Sequence, residues 1–223
     1  MIRGWFRRKR VRTTARKERP CAVPLRSGAE LLEAQATRLS RIRREAGVPS
    51  AQWRTLYRTL FEAFAAYVQA LPAATGGSLL EARLDAVSHA LGLRRRAVQH
   101  APDDDVAARH GVWTFVAVAS ALLRDLGRDV LTHRVELCDD KGRKLGEWEP
   151  WAGPVSLRAA KSVRLRPRHA PLPRLVTLLP AFVAPSIVPE AGLRWICTDA
   201  AALDAWLRAI CGTNGPVRAA HAA

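Results

Sequence analysis

Arg124 and Asp125, in the stretch Ala121-Leu-Leu-Arg-Asp-Leu-Gly-Arg128, close an apolar run and pose the main chemical question of the chain. A divalent-metal site there would need an imidazole beside the carboxylate, because His and Asp together supply the lone pairs. Arg supplies none; its guanidinium stays charged, only donates, and repels a cation. Other ligand types lie elsewhere. Asp85 and His89 are spaced i,i+4 and share a helix face, and His110 and His133 could join Asp125 if the fold brought them together. Metal sites need three or four converging ligands. The plainer reading makes Asp85 and His89 an exposed pair and His133 a loop histidine with a satisfied ring. Without a metal, a buried Asp125 needs a cationic partner. Arg83 or Arg128 is expected to supply it, since Arg124, adjacent on a continuous helix, points elsewhere. No nucleophile triad is visible. Ala74-Thr-Gly-Gly77 lacks the lysine and the preceding strand of a phosphate loop. No cofactor is expected.

The elements that must position these residues are mostly helical. Ser27-Gly-Ala-Glu30 fits a capping box and opens a first helix that runs to about Glu45 and stops at Gly47. Pro49-Ser50 starts a second. Its residues Trp53, Leu56, Tyr57, Leu60, Phe61, Phe64, Tyr67, Val68 and Leu71 recur every three or four positions as one wide apolar stripe, which reads as core. Ser78-Leu-Leu-Glu81 opens a third helix over roughly 78–92, followed by Arg94-Arg95-Arg96 as an exposed basic cluster. Pro102-Asp-Asp-Asp105 places acids at the start of a fourth helix, about 105–126, where the helix dipole favours them. That helix is apolar nearly all round, hence central, and Gly127 is its expected stop. Arg134–Cys138 and Leu145–Glu149 flank Asp139-Asp-Lys-Gly142 as a hairpin, and Ser162–Arg166 alternates as a further strand. A short helix spans Pro173 to Leu179. A last helix, near Asp199 to Ile210, buries Leu203, Trp206, Leu207 and Ile210 and ends at Gly212.

The 223 residues carry a net charge of +16 and are 48% hydrophobic, enough for one sizeable core. Residues 1–19 hold nine basic side chains against Glu18, a net +8; the other 204 residues carry 27 basic and 19 acidic side chains. The expected organisation is a basic, flexible arm over 1–26, a folded domain over 27–212 and a flexible tail over 213–223. An arm so charged suits nucleic acid or an anionic membrane surface; its plainer role is a solvated tail. Cys21, Cys138, Cys197 and Cys211 show no metal-cage spacing and read as reduced thiols of a cytosolic protein. No run of about 18 apolar residues marks a membrane span. No apolar stretch behind the basic start marks a secretory signal. A bacterial cytoplasmic location is expected.

Several segments, in order, resemble the N-terminal domain of the TraI/MobH-type relaxases of conjugative plasmids and integrative elements. They are Tyr67-Val-Gln-Ala-Leu-Pro72, Gly76-Gly-Ser-Leu-Leu80 with Leu84, Ala121-Leu-Leu-Arg-Asp-Leu-Gly127, Trp148-Glu-Pro150 with Gly153, and Leu193-Arg-Trp195 before a final helix. The resemblance implies a mainly α, HD-like helical bundle with a small antiparallel sheet (α+β) in the C-terminal half. In that family the loop before Gly-Gly is rich in histidine, the next helix carries a His, and the fourth helix ends in His-Asp, together an HD-type metal site. Here the loop from Pro72 to Gly77 has no histidine. The family's second-helix His falls at Ala82, and the His of His-Asp is Arg124; only Asp125 matches. The family's C-terminal DNA-processing region has no counterpart in these residues.

The resemblance therefore implies an inherited scaffold with degenerate catalytic positions at Ala82, Arg124 and Asp125. The function expected is that of a non-catalytic, relaxase-like accessory protein of a conjugative or integrative element, binding DNA or transfer-machinery proteins. Two readings stay open beside it: a metal-dependent phosphohydrolase or DNA nickase with displaced ligands drawn from Asp85, His89, Asp125 and His133, and a pure protein-interaction module. The residues expected to meet DNA phosphates are Arg7, Arg8, Lys9 and Arg10 of the arm, Arg94, Arg95 and Arg96, and the strand face Arg164, Arg166 and Arg168. Such contacts add affinity without reading sequence. Trp5 and Phe6 either stack on exposed bases or form a short handle for a protein partner.

Overall fold

The computed structural model describes residues 23–74, 76–99, 105–155, 159–168 and 173–212. Ser27 opens the helical body. Its hydroxyl accepts from the Glu30 amide at 3.2 Å, while the Glu30 carboxylate accepts from the Ser27 amide at 2.7 Å. The helix that follows is split. α1 (Gly28–Glu33) gives way at Ala34 and Gln35 to α2 (Ala36–Ala46), which stops at Gly47 in the left-handed conformation, φ 63°.

The aromatic stripe forms the next element. α3 (Ser50–Gln52) passes into a π-helical stretch (Trp53–Arg58) and then α4 (Thr59–Val68). Tyr57, Leu60, Phe61 and Phe64 are fully buried, each such side chain stabilising the fold by roughly 1.5–3 kcal/mol. Trp53 and Tyr57 stack at 5.7 Å, and Tyr57 meets Phe115 edge-on at 5.3 Å. The split of the first helix now has a reason. α1 packs on α4 and α2 on α5 (Leu79–Gln99), two partners that one straight helix could not serve. The α1 contact is close: a β-carbon on Gly28 would lie 2.0 Å from the Glu62 carbonyl oxygen.

α5 runs beyond the expected end near residue 92, so Arg94, Arg95 and Arg96 sit on its last turns instead of following it. α6 (Asp105–Leu123) is the central helix, with Phe115, Val116, Val118, Ala119, Leu122 and Leu123 fully buried, and it packs against α5, α9 and α10. It ends before the expected stop. Gly127 lies inside α7 (Leu126–Leu131), where a β-carbon would fall 2.0 Å from the Val176 carbonyl oxygen of α8 (Pro173–Ile187).

α8 carries Pro180 and Pro185 inside it. The sequence reading stopped at Leu179 because proline lacks a donor and crowds the preceding turn. The helix continues because its other side chains are held: Leu179, Val183, Ala184 and Ile187 are buried. Since Pro180 cannot donate, the Val176 carbonyl has no donor four residues on, and this is the carbonyl that faces Gly127. α9 (Glu190–Cys197), absent from the sequence reading, follows at a 119° bend. α10 (Ala200–Ile210) starts at Asp199, whose carboxylate accepts from the Ala201 and Ala202 amides at 2.9 and 3.1 Å. Trp206 and Ile210 are buried as expected. Leu207 is 40% exposed; Ala202 and Ala209 take the inward positions.

The expected small sheet is antiparallel and four-stranded, in the order β1-β4-β2-β3. It comprises β1 (Val23–Pro24), β2 (His133–Cys138), β3 (Lys144–Glu147) and β4 (Ser162–Pro167). β1 was not expected. β2 and β4 pair Val135 with Leu165 and Leu137 with Val163 on the core side, and Glu136 with Arg164 on the other. The chain is therefore mainly α, of the α+β class. No single helix among the described residues is long and apolar enough to cross a membrane.

Candidate functional site

The Arg124-Asp125 step is a corner between helices. The Arg124 amide still donates to the Ser120 carbonyl at 2.9 Å, but Asp125 adopts φ 58°, the sole positive value at a non-glycine among the described residues. Its carbonyl then accepts from the Arg128 and Asp129 amides at 3.0 and 3.3 Å and starts α7. Aspartate tolerates this left-handed conformation better than most residues. The turn corrects the expectation for Asp125. Its side chain is 52% exposed, and its partner is Arg124, Nε to carboxylate at 3.7 Å, instead of Arg83 or Arg128. On a continuous helix these neighbours would diverge; the left-handed residue between two helices turns them toward each other. Arg83 pairs with Asp129, one turn further on, with both side chains largely buried.

α5 and α6 enclose a cavity of about 630 Å³. Its apolar walls are alanines with Leu93 and Trp113: Ala86, Ala90 and Ala97 from α5, Ala117 and Ala121 from α6, and Ala209 from α10. Its polar lining is cationic, with Arg83, His89 and Arg94 on α5 and Arg124 on α6, alongside Ser120. Arg94 Nε donates to Thr114 Oγ1 at 3.1 Å, and burial pushes its guanidinium below the usual arginine range. Trp113 Nε1 donates to Asp199 at 3.1 Å and ties the cavity wall to the cap of α10. The sequence reading missed this cavity, although a signal was present. Alanine recurs along one face of α5 at 86, 90 and 97 and of α6 at 117 and 121, spacing that keeps two helix backbones close without filling the space between side chains.

The proposed metal ligands are not gathered. Asp85 is exposed and bound to Arg38 Nε at 3.2 Å and Arg41 at 3.6 Å. His89, one turn on, lines the cavity. His133 begins β2, its Nδ1 within 3.1 Å of Thr132 Oγ1 and 3.2 Å of the Asp129 carbonyl. Ala82 lies on the first turns of α5. The side chain of His110 lies outside the described residues. Among the described residues no three of His, Cys, Asp or Glu are grouped to hold a metal ion.

The basic segments differ in placement. Arg94 turns inward, which corrects the reading of an exposed triplet, while Arg95 and Arg96 are exposed. On the outer sheet face, Glu136 lies 3.5 Å from Arg164, 3.6 Å from Arg166 and 3.5 Å from Lys144. Arg164 also donates to the Gly142 carbonyl at 3.0 Å. Lys144 bonds Glu147 at 2.9 Å and holds its carboxyl low, with lesser help from Arg134 and Arg168. Arg7, Arg8, Lys9 and Arg10, with Trp5 and Phe6, lie outside the described residues.

Several residues that carried the resemblance hold the scaffold. Tyr67 donates to the Pro150 carbonyl at 2.9 Å, and Trp148 Nε1 donates to the Gly153 carbonyl at 2.8 Å. The two rings meet edge-on at 5.2 Å. Trp195 packs on Phe115 at 5.9 Å.

This fold and this corner define a mainly helical α+β domain of the relaxase- and helicase-like class associated with conjugation. The chain belongs to the TraI_2 family, described as "Putative helicase", which it matches over residues 23–219. No curated protein matches it.

Proposed function

We propose that this chain is a non-catalytic member of its family, a cytoplasmic accessory protein of a conjugative or integrative element that binds DNA through its basic surfaces. The observation that carries the reading is Arg124. A guanidinium stands where an HD-type site needs an imidazole, one residue before a carboxylate that is half exposed and paired with it. A guanidinium offers no lone pair to a metal. The charge supports the DNA half of the reading. The chain carries +16, and α5 presents Arg95 and Arg96 to solvent.

Two measurements test it. Metal analysis of protein purified without chelator is expected to find no stoichiometric Mn, Fe or Zn; finding one would favour a nickase with displaced ligands. Binding to duplex DNA is expected to weaken steeply as salt rises, because phosphate contacts release counterions. Binding that ignores salt, or no binding, would favour a protein-interaction module serving the transfer machinery.

A further inference from the structure

The cavity between α5 and α6 combines three features that are independent of the surface charge. Its described lining holds three guanidinium groups, those of Arg83, Arg94 and Arg124, plus the His89 imidazole, and no carboxylate. The acids that answer Arg83 and Arg124, Asp129 and Asp125, lie outside the lining. Like charges facing a shared, partly desolvated space are stabilised by an anion placed among them.

The second feature is a pair of orphaned groups. Ser120 is only 6% exposed, and its hydroxyl has no hydrogen-bond partner among the described residues. The same holds for Arg83 Nε, whose residue lines the same space. Buried polar groups are almost always satisfied. A donor from each wall left open on one cavity is the pattern of a site that a ligand completes.

The third is size and wall chemistry. At about 630 Å³ the cavity is far larger than an inorganic anion and falls in the range of small-ligand pockets. Alanine, Leu93 and Trp113 supply an apolar wall suited to a flat ring. Arginine forks match phosphate oxygens in geometry as well as charge.

We propose that this cavity binds a phosphate monoester of nucleotide size, with the phosphate held by the arginines and Ser120 and the ring against the apolar wall. The site lies between two helices, and it does not depend on the surface reading above.

The test is calorimetric titration of the full chain with deoxyadenosine 5′-monophosphate, and separately with deoxyadenosine. The monophosphate is expected to bind one-to-one and the nucleoside at least roughly tenfold more weakly, as loss of charge-assisted hydrogen bonds implies. Arg124→Gln, at a partly exposed side chain, is expected to weaken the monophosphate by roughly tenfold while leaving the ligand-free melting temperature in place. Ser120→Ala, which removes only an unpartnered hydroxyl, gives a second variant that keeps the fold and is expected to weaken binding several-fold. Absence of saturable binding would overturn the proposal, as would wild-type affinity in both variants. Competition by a 5′-phosphorylated oligonucleotide, but not by its 5′-hydroxyl counterpart, would assign the phosphate to a DNA end. Competition by mononucleotides alone would assign it to a free nucleotide; both results support the site. Mononucleotide binding without salt-sensitive duplex binding would defeat the surface reading and leave this one standing.

Discussion

Arg83 on α5 is bound through Nη2 to the Asp129 carboxylate on α7, and only 14% and 11% of the two side chains remain exposed. This pair, and not Arg124-Asp125, is the internal electrostatic link of the region. Removing one partner leaves a charge almost without water. Asp129→Asn is therefore expected to cost roughly 3 kcal/mol of stability, read as a lower urea midpoint with an unchanged slope.

Asp125 behaves differently because its carboxylate is half exposed and its backbone is left-handed. Asp125→Asn is expected to change stability by less than about 0.5 kcal/mol, as for an ordinary surface substitution. Asp125→Ala should cost about 1 kcal/mol, since a β-carbon resists this conformation without the compensating side chain, and Asp125→Gly should be neutral or stabilising. Thermal melts of the three variants rank them; a large loss in Asp125→Asn would return the residue to a buried role.

Tyr57 and Tyr67 are both buried, but only one hydroxyl is used. Tyr67 donates to the Pro150 carbonyl at 2.9 Å, while the Tyr57 hydroxyl has no partner among the described residues. Tyr67→Phe is expected to cost about 1–2 kcal/mol, because it orphans a buried carbonyl. Tyr57→Phe should be neutral or slightly stabilising. Paired denaturation curves separate them, and equal losses would contradict the assignment.

The same two hydroxyls give the fold an alkaline limit. Burial raises both above the ordinary tyrosine value of 10.0. In the unfolded chain they ionise near that value, while in the fold they keep their protons. Their contribution is whole below about pH 10 and drains away as pH climbs from there through the raised folded values. Urea midpoints measured from about pH 8 to 11 should fall only in the upper part of that range, and less steeply in Tyr57→Phe.

Exposed and engaged arginines should separate in DNA binding. Replacing Arg95 and Arg96 together with alanine should flatten the plot of log affinity against log salt by up to about two, close to one per phosphate contact. Arg164→Ala should change it little, since that side chain is mostly buried beside Glu136 and the Gly142 carbonyl. Equal slopes in the two variants would move the DNA contact elsewhere.

What the sequence disclosed follows from which interactions are local. The Ser27-Glu30 capping box, the Trp53–Leu71 stripe, the Gly142 hairpin and the Asp199 cap each rest on residues within a few positions of one another. The features it hid depend on distant partners. The break at Ala34 and Gln35 exists because α4 and α5 lie in different directions. α8 passes Pro180 because its buried face outweighs one lost donor. The exposure of Asp125 required knowing that α6 ends two residues early. For the site, the type of residue 124 was legible at once. The cavity beside it was not, because alanines register as helix formers and only a facing helix reveals the space they leave.

The π-helical stretch at Trp53–Arg58 sets the angular phase of everything after it. Such a turn holds one residue more than an α turn, so deleting a single residue there would restore regular bonding yet rotate the following segment by about 100°. Phe61, Phe64 and Tyr67 would swing off the core together, and Tyr67 would lose the Pro150 carbonyl. A one-residue deletion at a regular-looking helix start would thus uncouple the two halves of the domain, far from any charged group.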